Sequence, residues 1–123
     1  MSESKRSTHL TRRKMSHVID EVYTALFLAG GREVELRLRK EAEGLRLLVQ
    51  GDFDPDKRPV MERMGQLLCP KVRDHALVEA YWELAGGDQY TGDSELSLVG
   101  QMLDDARVRV EEGRVEMELY LAY

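Results

Sequence analysis

Apolar and polar residues change their repeat length from one stretch of this chain to the next. Met15, Val18, Ile19, Val22, Leu26 and Ala29 fall three or four positions apart, which marks one face of an amphipathic helix. Tyr23 and Phe27 widen that face, and Gly30-Gly31 ends it, because glycine enters the left-handed cap without steric penalty. The period then drops to two. Val34, Leu36 and Leu38 alternate with Glu33, Glu35, Arg37 and Arg39, the signature of a strand with one buried and one wet face. Gly44 marks a turn, and Leu45, Leu47 and Val49 form the return strand of a hairpin.

Gly51-Asp52-Phe53-Asp54-Pro55-Asp56 breaks that strand. Pro59 suits the first turn of a helix, whose buried side is Val60, Met61, Met64, Leu67 and Leu68, with Pro70 ending it. A further helix is predicted from Val72 to Leu84, burying Ala76, Leu77, Ala80, Tyr81 and Leu84, before a polar loop reaching Asp93. Asp93 or Ser94 caps a last helix, with Leu96, Val99, Met102 and Leu103 on its apolar side. Alternation returns in Ala106, Val108 and Val110, then in Val115, Met117, Leu119 and Leu121, with Glu111-Glu112-Gly113 as the turn. Two half-wet hairpins and four helices predict an α+β two-layer sandwich: a mostly antiparallel or mixed sheet with helices on one face.

Size and charge narrow this picture. At 123 residues the chain suits one domain with one core. Residues 15–123 are expected to form it, with residues 1–14 as a flexible arm. Lys5, Arg6, Arg12, Arg13 and Lys14 make that arm basic. The whole chain carries a net charge of −5, which argues against general nucleic-acid binding. No apolar run is long enough to span a bilayer, and Cys69 is the only cysteine, so no internal disulfide forms and a cytoplasmic location is expected.

The order of elements resembles the ATP-binding domain of the GHKL superfamily, the Bergerat fold of histidine kinases, anti-sigma-factor kinases, gyrase and heat-shock chaperones. Ile19-Asp20-Glu21-Val22-Tyr23-Thr24-Ala25-Leu26 is similar to its N-box helix. Leu45 to Asp52 is similar to the strand entering its first glycine box, and Leu96 to Ala106 to the second box running into a helix. The resemblance implies a nucleotide cradle, and the residues that would work it are replaced. Glu21 stands at the N-box glutamate, but Ala25 stands where an asparagine would hold magnesium, and a methyl group cannot ligate a hard cation. Gly51 or Asp52 takes the place of the adenine-reading aspartate. Phe53 or Asp54 takes that of a glycine, and Phe53 is expected to fill the space of the base. Gly92 survives in the second box, but Asp93 and Glu95 occupy glycine positions at the helix start, where carboxylates suit the helix dipole and repel a triphosphate.

Other constellations lead less far. His17 lies at helical spacing from Asp20 and Glu21 and reads as a surface or interfacial helix histidine. His75 and Cys69 lack further ligands at zinc spacing. Asp52, Asp54 and Asp56 alternate like a calcium loop, but the sixth and twelfth positions hold Lys57 and Arg63, not the required Gly and Glu. Ser94 and Ser97 lack a histidine partner for hydrolase chemistry. Trp82 and Tyr90 flank the polar loop and suit contact with a partner, since aromatic anchors dominate interface energies.

The expected function is therefore a non-catalytic regulatory or adaptor module with no cofactor and no bound metal. It would act through a protein partner, and a homodimer through the N-terminal helix, with Met15, Val22 and their neighbours, is one form of that. Two alternatives stand beside it: a small-ligand domain with a remodelled pocket, and a residual ATP-binding kinase of the anti-sigma type using Glu21 and Asp52.

Overall fold

A computed structural model of the chain describes the backbone of residues 2–71 and 93–123, and the side chains of residues 8–71 and 95–123. The expected helix from Val72 to Leu84, with Trp82, Tyr90 and Gly92, lies outside the described residues. The elements are α1 (Ser2–Leu28), β1 (Val34–Lys40), β2 (Gly44–Asp52), a 3-10 turn (Pro55–Lys57), α2 (Arg58–Leu68), α3 (Asp93–Met102), β3 (Asp105–Glu111) and β4 (Arg114–Ala122). The strands form one four-stranded sheet in the order β1-β2-β4-β3. Every neighbouring pair is antiparallel, and the described helices pack on one face, which makes the fold an α+β two-layer sandwich.

The two hairpins meet along β2 and β4, so the sheet's centre is built from segments far apart in sequence. Leu47 lies opposite Leu119 and Val49 opposite Met117 in that register, and all of them are buried. Above them sit Met15, Val18, Val22 and Leu26 of α1, Met61, Met64 and Leu68 of α2, and Val99 and Met102 of α3. Met15 and Val22, at 1% and 0% exposed, are spent inside the subunit. The α1 face expected to pair two copies is therefore not available.

Helix α1 starts at Ser2 rather than at Met15, so Arg12, Arg13 and Lys14 ride on a helix instead of an arm. Thr11 is buried in mid-helix, and its Oγ1 donates to the Ala122 carbonyl at 3.2 Å. That bond ties the front of the chain to its last strand. The last turn of α1 closes at Gly30, whose φ of +88° favours glycine.

Helices α2 and α3 approach each other through Gly100. A Cβ built there would collide with the Leu67 carbonyl oxygen and lie 3.1 Å from the Leu68 Cα. The backbones are close enough that only hydrogen fits between them. Strand β1 departs from its expected burial. Its helix-side residues Leu36 and Leu38 stay 39% and 51% exposed, because the described helices cover β2, β4 and β3 and leave β1 as an open edge.

Candidate functional site

The positions that resemble a nucleotide cradle separate into two groups in space. Glu21 lies on the flank of α1 that faces α3, one helical turn after His17. Glu95 lies in the first turn of α3. The three side chains meet: His17 Nε2 is 3.4 Å from Glu95 Oε2, and one ligand atom from each residue lies within 4.8 Å of the others. Glu21 and Glu95 are 6% and 5% exposed. Buried carboxylates are costly unless a proton, a donor or a cation compensates them. Glu21 Oε2 has no hydrogen-bond partner among the described residues. Burial first, then Glu95 and Asp20, push the Glu21 carboxyl up from 4.5 to about 7. The buried Glu21 carboxyl thus keeps its proton to higher pH than an exposed glutamate does.

The same three groups are the residues that would hold a divalent ion. A closed zinc centre takes about four ligands, so this trio would need a further donor. Sequence reasoning missed the cluster as a unit. The visible signal was His17 and Glu21 at i, i+4. The docking of α3 against α1, which brings Glu95 to them, leaves no trace in spacing.

The second group surrounds the end of β2. Asp52 Oδ1 accepts from the backbone N–H of Arg32 at 2.8 Å and of Glu33 at 3.0 Å. It caps the chain as it enters β1, and those bonds hold its carboxyl below the usual aspartate range. Phe53 is 4% exposed and belongs to the core. The Asp54 N–H donates to the Ala29 carbonyl at 2.9 Å, and Asp54 Oδ1 accepts from the Asp56 N–H at 3.0 Å. The carboxylates of Asp52 and Asp54 thus serve turns and caps. Ala25 is half-buried against the core. Asp93 opens α3, and its side chain lies outside the described residues.

Replacing Asp52 with Ala is expected to lower the melting temperature by several degrees, since two backbone donors lose their acceptor. The sign with pH follows from its depressed folded value. The stabilisation is present above the ordinary aspartate range and is lost as pH falls through the lower folded value. Thermal melts of wild type and variant should converge in acid; a gap that stayed constant would contradict this role.

A third feature is apolar. On the other flank of α1, Tyr23 and Phe27 stack edge to face with ring centroids 6.0 Å apart and are 37% and 49% exposed. Beside them a groove of about 470 Å³ runs between α1 and β1, lined by Arg12, Ile19, Leu38, Leu45 and Tyr123 among others. The opposite face of the sheet is charged. Arg46 lies 2.9 Å from Glu41 and 3.6 Å from Glu118, with its guanidinium 4.8 Å from the Tyr120 ring centroid. Arg109 lies 2.7 Å from Glu116. These ion pairs lie on the sheet face turned away from the helices, where solvent screens them.

No described helix is long and apolar enough to cross a membrane. Set against known proteins, the chain matches no family model, no curated protein and no solved structure.

Proposed function

We propose that this chain is a non-catalytic protein–protein interaction module built on a degenerate Bergerat-type scaffold. The observation that carries the reading is exposed apolar surface on α1 and β1: Tyr23, Phe27, Leu36 and Leu38 stay exposed, and β1 is an edge strand of the described sheet. Apolar surface of that kind, next to unpaired strand backbone, suits a partner surface. The nucleotide-like positions support it from the other side. Asp52 is committed to two backbone N–H groups, Phe53 to the core, and Glu21 faces another carboxylate. The fold itself thus takes up Asp52 Oδ1 and the Phe53 ring, and two neighbouring carboxylates at Glu21 and Glu95 disfavour a triphosphate.

Calorimetric titration with ATP and magnesium tests the reading. No saturable heat is expected up to millimolar nucleotide. Micromolar affinity would overturn the reading and restore a residual kinase.

A further inference from the structure

We infer that β1 is a self-recognition edge: two copies of this chain join antiparallel through β1, in a register centred on Leu36, to make one continuous sheet. The inference rests on the interaction-module reading and names the partner as a second copy.

The backbone decides which residues are presented. Asp52 N–H donates to the Glu33 carbonyl at 3.4 Å, and Glu41 N–H donates to the Gly44 carbonyl at 2.9 Å. Backbone groups point alternately to the two sides of a strand. The odd-numbered residues from 33 to 41 therefore bond inward to β2, and Val34, Leu36, Leu38 and Lys40 present N–H and C=O at the open edge. A second β1 can bond there only in registers that set even-numbered residues opposite even-numbered ones.

Charge selects among those registers. Centred on Leu36, Glu35 faces Arg37 of the second copy and Glu33 faces its Arg39, each pair occurring twice by symmetry. Centred on Glu35 or on Arg37, the strand sets that residue against its own copy. Centred on Val34 or Leu38, it sets Glu33 against Glu35 or Arg37 against Arg39. Within the subunit, Glu35 is opposite Gln50 and Arg37 is opposite Leu48, so neither faces an opposite charge across the existing ladder. A second copy supplies it.

The apolar side agrees with the same register. Leu36 meets Leu36 and Val34 meets Leu38 across the joint, covering the two leucines that the subunit leaves 39% and 51% exposed. Strands about 4.8 Å apart put the two β2 strands about 14 Å from each other. α1 packs over β2, and a helix is about 10–12 Å wide with its side chains. Tyr23 and Phe27, on the flank of α1 that looks toward β1, line the remaining gap.

The other edge is built differently. Pairing two β3 strands about their midpoint, Val108, would set Arg107 against Arg109 and Asp105 against Glu111. Arg109 is in any case engaged by Glu111 at 3.3 Å and Glu116 at 2.7 Å within its own subunit. A joint at β1 alone is two-fold and closes at a dimer.

Sedimentation velocity over a wide concentration range, on wild type, Glu35→Arg and Arg37→Glu, tests this. Both side chains are exposed, and circular dichroism verifies that each variant keeps the fold. Wild type is expected to be a reversible dimer. Each single variant sets like charges across the joint twice and is expected to dimerise about tenfold more weakly or worse. An equimolar mixture of the two variants restores every pair and is expected to form a heterodimer at least as readily as wild type forms its dimer. A wild type that stays monomeric, variants that dimerise unchanged, or a mixture that fails to associate would each overturn the inference. Species growing beyond a dimer would mean head-to-tail pairing of β1 with β3 and would overturn it too. A monomer that also binds no nucleotide overturns self-pairing alone, whereas nucleotide binding overturns the reading beneath it.

Discussion

Gly100→Ala is expected to lower the unfolding midpoint of this protein sharply. Intrinsic helix propensity argues the opposite, since alanine in a helix interior is favoured over glycine by about 1 kcal/mol. Gly100 sits inside α3, so a solvent-facing position would gain that amount. Here the added methyl meets the Leu67 carbonyl oxygen, with the Leu67 carbonyl carbon at 3.0 Å. Both obstacles are backbone, which cannot rotate away. Helices α2 and α3 must separate, and Val99, Leu68 and Met64 lose contact with each other's elements. Overpacking that moves backbone costs on the order of 3–4 kcal/mol, a large share of the roughly 5–15 kcal/mol that holds a domain together. Denaturant unfolding measures it directly. Gly51→Ala is the control: its Cβ would meet nothing closer than 3.5 Å, so its midpoint should barely move. A Gly100→Ala midpoint at or above that of wild type would show that the two helices do not touch there.

The second large effect is a dependence of stability on pH through Glu21. Its carboxyl is raised from 4.5 to about 7 in the fold, by burial first and by Glu95 and Asp20 next. Around it stand Asp20 and His17 on α1 and Glu95 on α3. Between those two values the unfolded chain has lost the proton and the folded one retains it. Stability therefore falls as pH rises from 4.5 to about 7 and stays low above that. The loss is on the order of 3 kcal/mol. Glu21→Gln keeps the shape and removes the titration. Its melting temperature should match wild type near pH 4.5 and exceed it clearly at pH 8. Taking the difference between the two proteins cancels other carboxylates such as Asp52, whose depressed value works in the opposite direction. Parallel curves would mean that Glu21 ionises in the fold as freely as in the unfolded chain.

Both effects arise where elements distant in sequence touch, and the same division runs through the whole molecule. The alternation in β2 and β4 was legible, because a strand's side chains repeat every second residue and one face must be dry. So was the stripe Met15, Val18, Val22, Leu26, because three- and four-residue spacing is local helix geometry. Element type and the α+β layering follow from such local periods. The acidic turn after β2 was legible in composition, and Asp52 and Asp54 do serve as caps there.

What spacing does not encode is which face of each element another element covers. Leu36 reads as buried as Leu47, yet it lies on an edge strand of the described sheet and stays 39% exposed. Glu21 and Glu95 read as two separate charged residues, yet the docking of α3 on α1 buries them together. Gly100 reads as a helix weakness and is instead the place where two backbones meet. The amino-acid sequence by itself determined the strands, the helices and the charge order along β1, because those depend on neighbours within a few residues. The tertiary structure alone decided which carboxylates are buried side by side, which glycine is irreplaceable and which strand lies at the edge of the described sheet. Those depend on distances between segments that only packing brings together.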